Sequence, residues 1–212
     1  ALQADLLGAH ALGLRNLLCL TGDPVRAGDQ LDARPVNEFD SVKLLQQVRS
    51  FNQGVDPRDG DLADGPTALF AGCAADPQSR SWSGLTRRLQ RKHEAGARFV
   101  QTQMVMDAAA LERFQRELAS PMQLPVLAGV FLLKSARNAH FINRMVPGAC
   151  IPDALIERLD RAADPAMEGI AIAAEQVKRY LNIVQGVHLM AVRAEERIPR
   201  ILDLAGISSL PG

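Results

Sequence analysis

The sequence is poor in cysteine and in large aromatic residues. Its three cysteines, Cys19, Cys73 and Cys150, are far apart among 212 residues and form no Cys-x-x-Cys pair. That spacing argues against a disulfide framework or a zinc site and favours reduced thiols in the cytoplasm. Trp and Tyr each occur once, so aromatic platforms for single-stranded nucleic acid are not expected.

The sequence also lacks an excess of charge of either sign and any long hydrophobic run. Lys and Arg number 24, as do Asp and Glu, so no overall field attracts nucleic acid or an anionic membrane. The longest apolar run, Leu124–Leu133, has ten residues, whereas a membrane-spanning helix needs about 20. Hydrophobic residues make up 47% of the chain, too many for a disordered segment. We therefore expect one folded domain, residues 1–212, without nucleic-acid or membrane partners.

Short apolar runs alternate with amphipathic stretches along the chain. The runs predict strands at Asn16–Thr21, Thr67–Gly72, Phe99–Gln103, Val126–Val130 and Val187–Val192. Helical periodicity predicts helices at about Phe39–Phe51, Ser81–Ala95, Ala108–Leu118, Ala136–Met145, Pro152–Ala162, Pro165–Ile183 and Ala194–Leu204. Long loops are expected at Gly22–Asp40 and Gly54–Pro66. Because helices follow the strands, we expect a parallel α/β sheet with its chemistry at the carboxyl ends of the strands.

Five βα units are too few to close an eight-stranded barrel, which takes about 250 residues. An open doubly wound sheet fits the count, but the turn Thr21-Gly22-Asp23-Pro24 lacks the glycine pattern of a phosphate loop, and Pro24 lacks an amide donor. The other explanation is that three βα units precede this chain. The first helical stretch, Leu2–Gly13, begins without a capping residue, so we expect that residue 1 is not the start of the natural fold.

Five segments, in this order, carry the pattern of a known family: Leu6–Pro24 with its Gly-Asp-Pro turn, Phe70–Pro77, Arg88–Gln103 with Ala-Gly-Ala and Thr-Gln, Pro125–Gly148 with Ser-x-Arg-Asn and Val-Pro-Gly, and Gly186–Arg193. Together they resemble the methylenetetrahydrofolate reductases, particularly the reductase half of bifunctional homocysteine methyltransferase/reductase proteins. The resemblance implies a (β/α)8 TIM barrel, of which this chain holds about the last five βα units.

The resemblance also implies a reaction. The family reduces 5,10-methylenetetrahydrofolate to 5-methyltetrahydrofolate, with FAD as cofactor and NADH or NADPH as electron donor, and a homo-oligomer is expected. The family's proton donor is a Glu on the first barrel strand, and no segment here matches that strand. The alternative is therefore a catalytically silent FAD- or folate-binding fragment, or a remnant of a bifunctional enzyme. A further alternative is a phosphate-binding barrel that catalyses another reaction. It would not explain why Asp23 and Gln103 both lie at the mouth of the barrel.

Asp23 follows the strand end formed by Leu20, Thr21 and Gly22. Gly22 permits a tight turn and close backbone approach to a planar ligand, and a carboxylate beside it can accept hydrogen bonds from a pterin or flavin edge. Alternatively, Asp23 satisfies its own turn before Pro24. The resemblance makes Asp23 a catalytic, substrate-binding and cofactor-binding residue, and Leu20, Thr21 and Gly22 cofactor contacts.

Strand alternation places Phe99, Gln101 and Gln103 on one face of a strand. An unpaired buried amide costs roughly 1–3 kcal/mol, so these amides need partners, and an amide can donate to and accept from a pterin at once. The resemblance makes Gln103 the folate-contacting glutamine and Gln101 a cofactor contact. The alternative for Gln103 is a strand end that faces water.

Three basic residues, Arg88, Arg91 and Lys92, lie on the predicted helix Ser81–Ala95. Arg88 and Lys92 share a face, with Arg91 beside it. They could clamp the FAD pyrophosphate, or they could form a solvated helix face. The resemblance favours phosphate contact, because Arg91 and Lys92 match a basic pair of the family.

The resemblance implies three further cofactor contacts: Cys73, Asp76 and Asn138. Cys73 stands where many members have a flavin-stacking Tyr, and Asp76 where many have His. Asn138 matches an amide near the flavin. Its neighbour Arg137 could pair with a phosphate or with a nearby carboxylate.

Overall fold

The computed structural model describes residues 2–22, 39–146 and 148–207. The helices of these ranges are α1 (Leu2–Ala11), α2 (Ser41–Asn52), α3 (Trp82–Glu94), α4 (Ala108–Phe114), α5 (Ala136–Met145), α6 (Asp153–Arg161), α7 (Pro165–Tyr180) and α8 (Ile198–Ala205). The strands are β1 (Asn16–Cys19), β2 (Val55–Asp56), β3 (Gly60–Asp61), β4 (Phe70–Ala75), β5 (Phe99–Met104), β6 (Val126–Phe131) and β7 (Gly186–Met190). Within these ranges, no helix is both long enough and apolar enough to cross a membrane.

Five strands form one sheet in the order β1-β4-β5-β6-β7. β1 runs parallel to β4, with Cys19 opposite Cys73, and β6 runs parallel to β7, with Leu127 opposite Gly186. Helices separate these strands along the chain, which is the connectivity of βα units. The predicted α/β fold with a five-stranded sheet is therefore confirmed, and an eight-unit barrel stays a prediction.

Two compact units make up the chain. The first contains Ala1–Ala75 and Ser83–Val100, and the second contains Asp76–Trp82 and Gln101–Gly212. Strand β5 begins in the first unit and ends in the second. That residues 1–212 form a single domain stays a prediction.

The core of the first unit lies where α2 packs against β1 and β4, and α3 contributes further buried side chains. Its buried side chains include Leu45, Val48 and Phe51 from α2 and Leu85 and Leu89 from α3. Their spacing of three and four residues produces the apolar stripe that the sequence predicted. Helix α2 begins at an ordinary cap, because the Asp40 carboxylate accepts a hydrogen bond from the Lys43 backbone N–H at 2.8 Å.

In the second unit, α5, α6 and α7 pack around one buried cluster. Its members are Leu133, Ala139, Ile142, Ile151, Ile156, Leu159 and Ile172. The side-chain amide of Asn143 fixes the connection between α5 and α6: it donates to the Ile151 carbonyl at 2.9 Å and accepts from the Ile151 N–H at 2.8 Å. The relative position of α5 and α6 is therefore set by both apolar packing and paired hydrogen bonds.

Most predicted elements coincide with observed ones, but β4 begins at Phe70 rather than Thr67. The cause is Asn52, whose side chain accepts from the Leu69 N–H at 2.9 Å and donates to the Leu69 carbonyl at 2.8 Å. Its oxygen also accepts from the Thr67 hydroxyl at 2.6 Å. These bonds satisfy the polar groups that a longer strand would have paired with its neighbours.

Two local features differ from the predicted pattern. The predicted helix Ala108–Leu118 is α-helical only to Phe114 and continues as a π-helix over Gln115–Ala119. The predicted loop Gly54–Pro66 contains the short antiparallel pair β2 and β3. Most of the other predicted loop, Gly22–Asp40, lies outside the described residues.

Candidate functional site

The carboxyl ends of β1 and β4 lie side by side in the first unit, because Cys19 and Cys73 are paired in parallel register. After β1, the side chain of Leu20 is 52% exposed. Gly22 has a φ of +81°, and a Cβ added to it would meet nothing within 4 Å. Among the described residues, none fills the space beside this left-handed turn. A ligand could therefore approach the Gly22 backbone closely.

Lys92 brings a positive charge to the end of β4. Its half-buried ammonium donates a hydrogen bond of 2.7 Å to the Ala74 carbonyl. An ammonium has three donors, and this bond uses one of them. Arg88 lies one turn earlier on α3, on the same face, and Arg91 is exposed on that helix. The predicted basic cluster therefore reaches a strand end through Lys92.

Thr21 connects the end of β1 to the start of α2. Its hydroxyl accepts from the Ser41 N–H at 3.1 Å and lies 3.2 Å from the Ser41 hydroxyl, to which it donates. The side chain is thus engaged with the first turn of α2. Thr21 was predicted to contact the cofactor through its backbone. The two hydrogen bonds to Ser41 hold that backbone in place.

Cys73 is fully buried, and burial raises the pKa of its thiol to about 11. Burial likewise raises the pKa of the Cys19 thiol to about 11. Both thiols stay protonated at neutral pH, so neither serves as a nucleophile. The predicted cofactor contact of Cys73 stays a prediction.

Asp23, the predicted catalytic carboxylate, lies outside the described residues. Its role stays a prediction that depends on the family resemblance and on its position directly after Gly22.

In the second unit, two amides on β5 lie on the same face. The intervening residue Thr102 is buried, whereas Gln101 is half-buried and Gln103 is exposed. Among the described residues, neither amide has a hydrogen-bonding partner. Both amides therefore retain hydrogen-bonding capacity toward a ligand, and their predicted contacts stay predictions.

The backbone of Gln103 is held in place by its neighbours. The Thr102 hydroxyl donates to the Gln103 carbonyl at 2.7 Å and accepts from the Gly129 N–H on β6 at 2.8 Å. A Cβ on Gly129 would lie 2.5 Å from the Gln103 carbonyl oxygen, closer than any real contact. Glycine at this position therefore allows the close approach that positions Gln103.

Asn138 closes the turn between β6 and α5. Its side-chain oxygen accepts from the Lys134 N–H at 3.2 Å, and its own N–H donates to the Ser135 hydroxyl at 3.1 Å. Ser135 thus caps α5, and the Asn138 side chain holds the backbone one residue before that cap. The Asn138 amide nitrogen has no partner among the described residues, so it can still donate to a ligand.

Asp76 forms a turn immediately after β4. Its carboxylate accepts from the Gln78 N–H at 2.9 Å, an arrangement typical of aspartate in turns. The side-chain oxygen of Gln78 in turn accepts from the N–H groups of Met106 and Asp107, at 2.5 and 2.9 Å. Asp76 thus has a structural partner of its own, and its predicted cofactor contact stays a prediction.

Sequence reasoning missed Lys134, Thr102 and Gln78. Lys134 places a second positive charge near a strand end, where its ammonium donates a hydrogen bond to the Val192 carbonyl at 2.5 Å. A signal for it existed, because it is the first charged residue after the apolar run Leu124–Leu133. Thr102 and Gln78 act through contacts distant in sequence, for which the sequence carries no signal. Among the described residues, no cluster of His, Cys, Asp and Glu could hold a metal ion.

These features define an α/β protein with polar and charged side chains near the carboxyl ends of its strands, where ligand sites of βα barrels lie. The profile of the family described as "Methylenetetrahydrofolate reductase" matches residues 1–206. The chain belongs to the methylenetetrahydrofolate reductase family. The resemblance seen in the sequence is thereby confirmed, while the bifunctional subgroup stays a prediction.

Two curated relatives are similar to nearly the whole chain. Methylenetetrahydrofolate reductase 2 of Schizosaccharomyces pombe is 25% identical over 94% of this chain and 32% of its own length. A probable methylenetetrahydrofolate reductase (NADPH) of Caenorhabditis elegans is 25% identical over 96% of this chain and 30% of its own length. The chain thus spans about a third of the length of these relatives.

The fold is also similar to that of a solved structure. It is an uncharacterized protein from Clostridium thermocellum described as binding two copies of 5-methyl-5,6,7,8-tetrahydrofolic acid. The TM-score is 0.51 at 17% identity, covering 68% of this chain and 55% of that one. At that identity, the likeness supports the fold.

Proposed function

We propose that the protein takes part in the reduction of 5,10-methylenetetrahydrofolate to 5-methyltetrahydrofolate, with FAD as cofactor and NADH or NADPH as electron donor. The observation that carries the proposal is the amide of Gln103, which has no partner among the described residues while its backbone is fixed. The names of the two relatives support the reaction. The folate bound by the structural neighbour supports the substrate class.

The folate part of the proposal depends on amide chemistry. A pterin presents donors and acceptors along one edge, and a glutamine amide offers one of each. Gln103 would bind that edge, because its amide is exposed. Since Thr102 holds the Gln103 backbone, the point from which the side chain extends is fixed before substrate arrives.

The flavin part depends on the first unit, whose residues fit an anionic cofactor. Lys92 would bind the pyrophosphate with its remaining donors, and Arg88 and Arg91 would add charge from the same helix. The open backbone at Thr21 and Gly22 would lie against the ring system. When bound, FAD supplies a hydride carrier between the nicotinamide and the folate.

Asp23 would contribute the negative charge of the site. A carboxylate there would favour the cationic form of methylenetetrahydrofolate, whose positive charge is neutralised when it accepts the hydride. Asp23 is thus proposed to stabilise the cationic form of the substrate and to accept a hydrogen bond from the pterin. A cytoplasmic location and a homo-oligomeric state complete the proposal.

The test is titration of the purified chain with FAD and with 5-methyltetrahydrofolate, followed by turnover assays with each nicotinamide. We expect visible flavin absorbance that survives gel filtration, together with folate binding; the turnover assays then distinguish an active reductase from a silent fragment. Binding of both ligands without turnover would indicate the catalytically silent alternative. A chain that binds neither ligand would contradict the proposal.

A further inference from the structure

A groove of about 760 Å³ lies between α5 and α6 in the second unit. Its α5 side is basic: Arg137, His140 and Arg144 recur at helical spacing, with the ring of Phe141 between them. Phe141 is 51% exposed. One wall of the groove is therefore a row of cations around an exposed aromatic side chain.

The α6 side of the same groove is acidic. Asp153, Glu157 and Asp160 line it at spacings of four and three residues. Glu157 pairs with Arg161 at 3.0 Å. Asp153 and Asp160, like Arg137 and Arg144, make no ion pair or side-chain hydrogen bond with another described residue. The two rows thus face one groove without neutralising each other by direct contact.

The two rows match in length. Arg137 and Arg144 are seven residues apart, as are Asp153 and Asp160, so each pair spans about 10 Å along its helix. A two-fold axis would place α5 of one molecule against α6 of another and would repeat the contact by symmetry. Because the spacings are equal, both arginines of one copy can pair with both aspartates of the other, whether α5 and α6 of the two copies are parallel or antiparallel.

We propose that the groove between α5 and α6 is a self-complementary surface that binds a second copy of this chain, an inference that rests on the homo-oligomeric state proposed above. The basic row of each copy pairs with the acidic row of the other, and Phe141 supplies the apolar anchor of each half. Asn143 keeps the surface preformed, because its bonds to Ile151 fix α5 relative to α6.

The size of the surface sets the expected strength. Two helices about 15 Å long and about 10 Å wide cover roughly 300 Å², below the roughly 800 Å² that each partner buries in a standard interface. The dimer should therefore be weak and dominated by charge. Its dissociation constant should rise at least tenfold between about 50 mM and 500 mM salt, because salt screens exposed ion pairs.

The test is charge reversal followed by complementation on the whole chain. Arg137→Glu/Arg144→Glu leaves both rows acidic, and Asp153→Arg/Asp160→Arg leaves both rows basic. Each variant alone should dimerise at least tenfold more weakly than the wild type in sedimentation velocity at low salt. Mixed together, the two variants should form a one-to-one heterodimer, visible by native mass spectrometry because their masses differ.

Two further variants keep the test decisive. Reversing all four charges in one chain should restore self-association, which shows that the substitutions leave the fold intact. Arg98→Glu/Arg200→Glu changes the net charge as much as the arginine reversal does, but at exposed residues outside the groove, and should leave dimerisation unchanged. The proposal is overturned if the wild type is monomeric at about 0.5 mM, if the reversed variants associate like the wild type, or if the mixture forms no heterodimer.

Discussion

Thr102 and Gly129 are joined across β5 and β6 by a 2.8 Å hydrogen bond from the glycine N–H to the threonine hydroxyl. The same hydroxyl donates to the Gln103 carbonyl, so a buried side chain holds the backbone of the proposed folate-binding residue. This relationship links the stability of the sheet to the function of the site.

Replacing Thr102 by valine keeps the shape of the side chain and removes both hydrogen bonds. We expect a loss of about 1–3 kcal/mol in the free energy of unfolding, because the Gly129 N–H loses its partner in a buried position. Urea denaturation measures the loss. Thr102→Ser retains the hydroxyl and should keep most of the stability; equal losses in both variants would indicate a packing effect instead.

Removing the Gln103 amide should weaken folate binding selectively. In Gln103→Ala we expect the dissociation constant for 5-methyltetrahydrofolate to rise roughly tenfold, as the loss of about 1.4 kcal/mol of polar contact requires. Calorimetric titration measures it. The matched control is Gln90→Ala, an exposed glutamine on α3, and unchanged folate binding by Gln103→Ala would remove Gln103 from the site.

Neutralising Lys92 should weaken FAD binding and leave folate binding nearly unchanged. Lys92→Met keeps the aliphatic stem and removes the ammonium at the end of β4, so FAD retention should fall at least tenfold while folate affinity changes little. Flavin fluorescence during dialysis measures retention. Lys178→Met, at an exposed position of α7, controls for the change of net charge, and equal loss of FAD in both variants would contradict a specific contact.

The three cysteines should differ sharply in reactivity. Cys150 is exposed, whereas Cys19 and Cys73 are buried, so a thiol reagent at about pH 8 should modify one thiol per native chain and three in urea. Ellman's reagent gives the count by absorbance. A Cys150→Ala chain that still reacts rapidly in its native state would show that the buried pair is accessible.

Stability should fall in alkaline solution through the buried thiols. Folding raises the pKa of Cys19 and Cys73 from near 9 to about 11, so the folded chain holds these protons more tightly than the unfolded chain does. This stabilisation is complete below about pH 9 and is lost as the pH rises towards 11. Urea midpoints measured across that range should show a smaller decline in Cys19→Ala/Cys73→Ala, while Cys150→Ala should decline like the wild type.

The sequence could predict the elements because their causes are local. The helix α5 was predicted at its observed bounds, since an apolar stripe runs between Ser135 and the Val-Pro-Gly turn. The face shared by Gln101 and Gln103 follows from strand alternation alone.

What the sequence could not predict depends on partners distant in the chain. The start of β4 is displaced by Asn52, which lies 17 residues before Leu69. The support of Gln103 comes from Gly129 on another strand, and 27 residues separate Gly129 from Thr102. Neither pairing leaves a periodic signal, because each depends on one side chain reaching one backbone group.

The π-helix at Gln115–Ala119 makes this segment tolerant of a change in chain length. A π-turn holds one residue more than an α-turn, and here Phe114, Leu118 and Ala119 are all buried around it. Deleting one residue between Phe114 and Ser120 would convert the bulge into regular α-helix without disturbing the helix before it. Insertions and deletions of single residues should therefore accumulate at this point as homologous chains diverge, while the strands on either side keep their lengths.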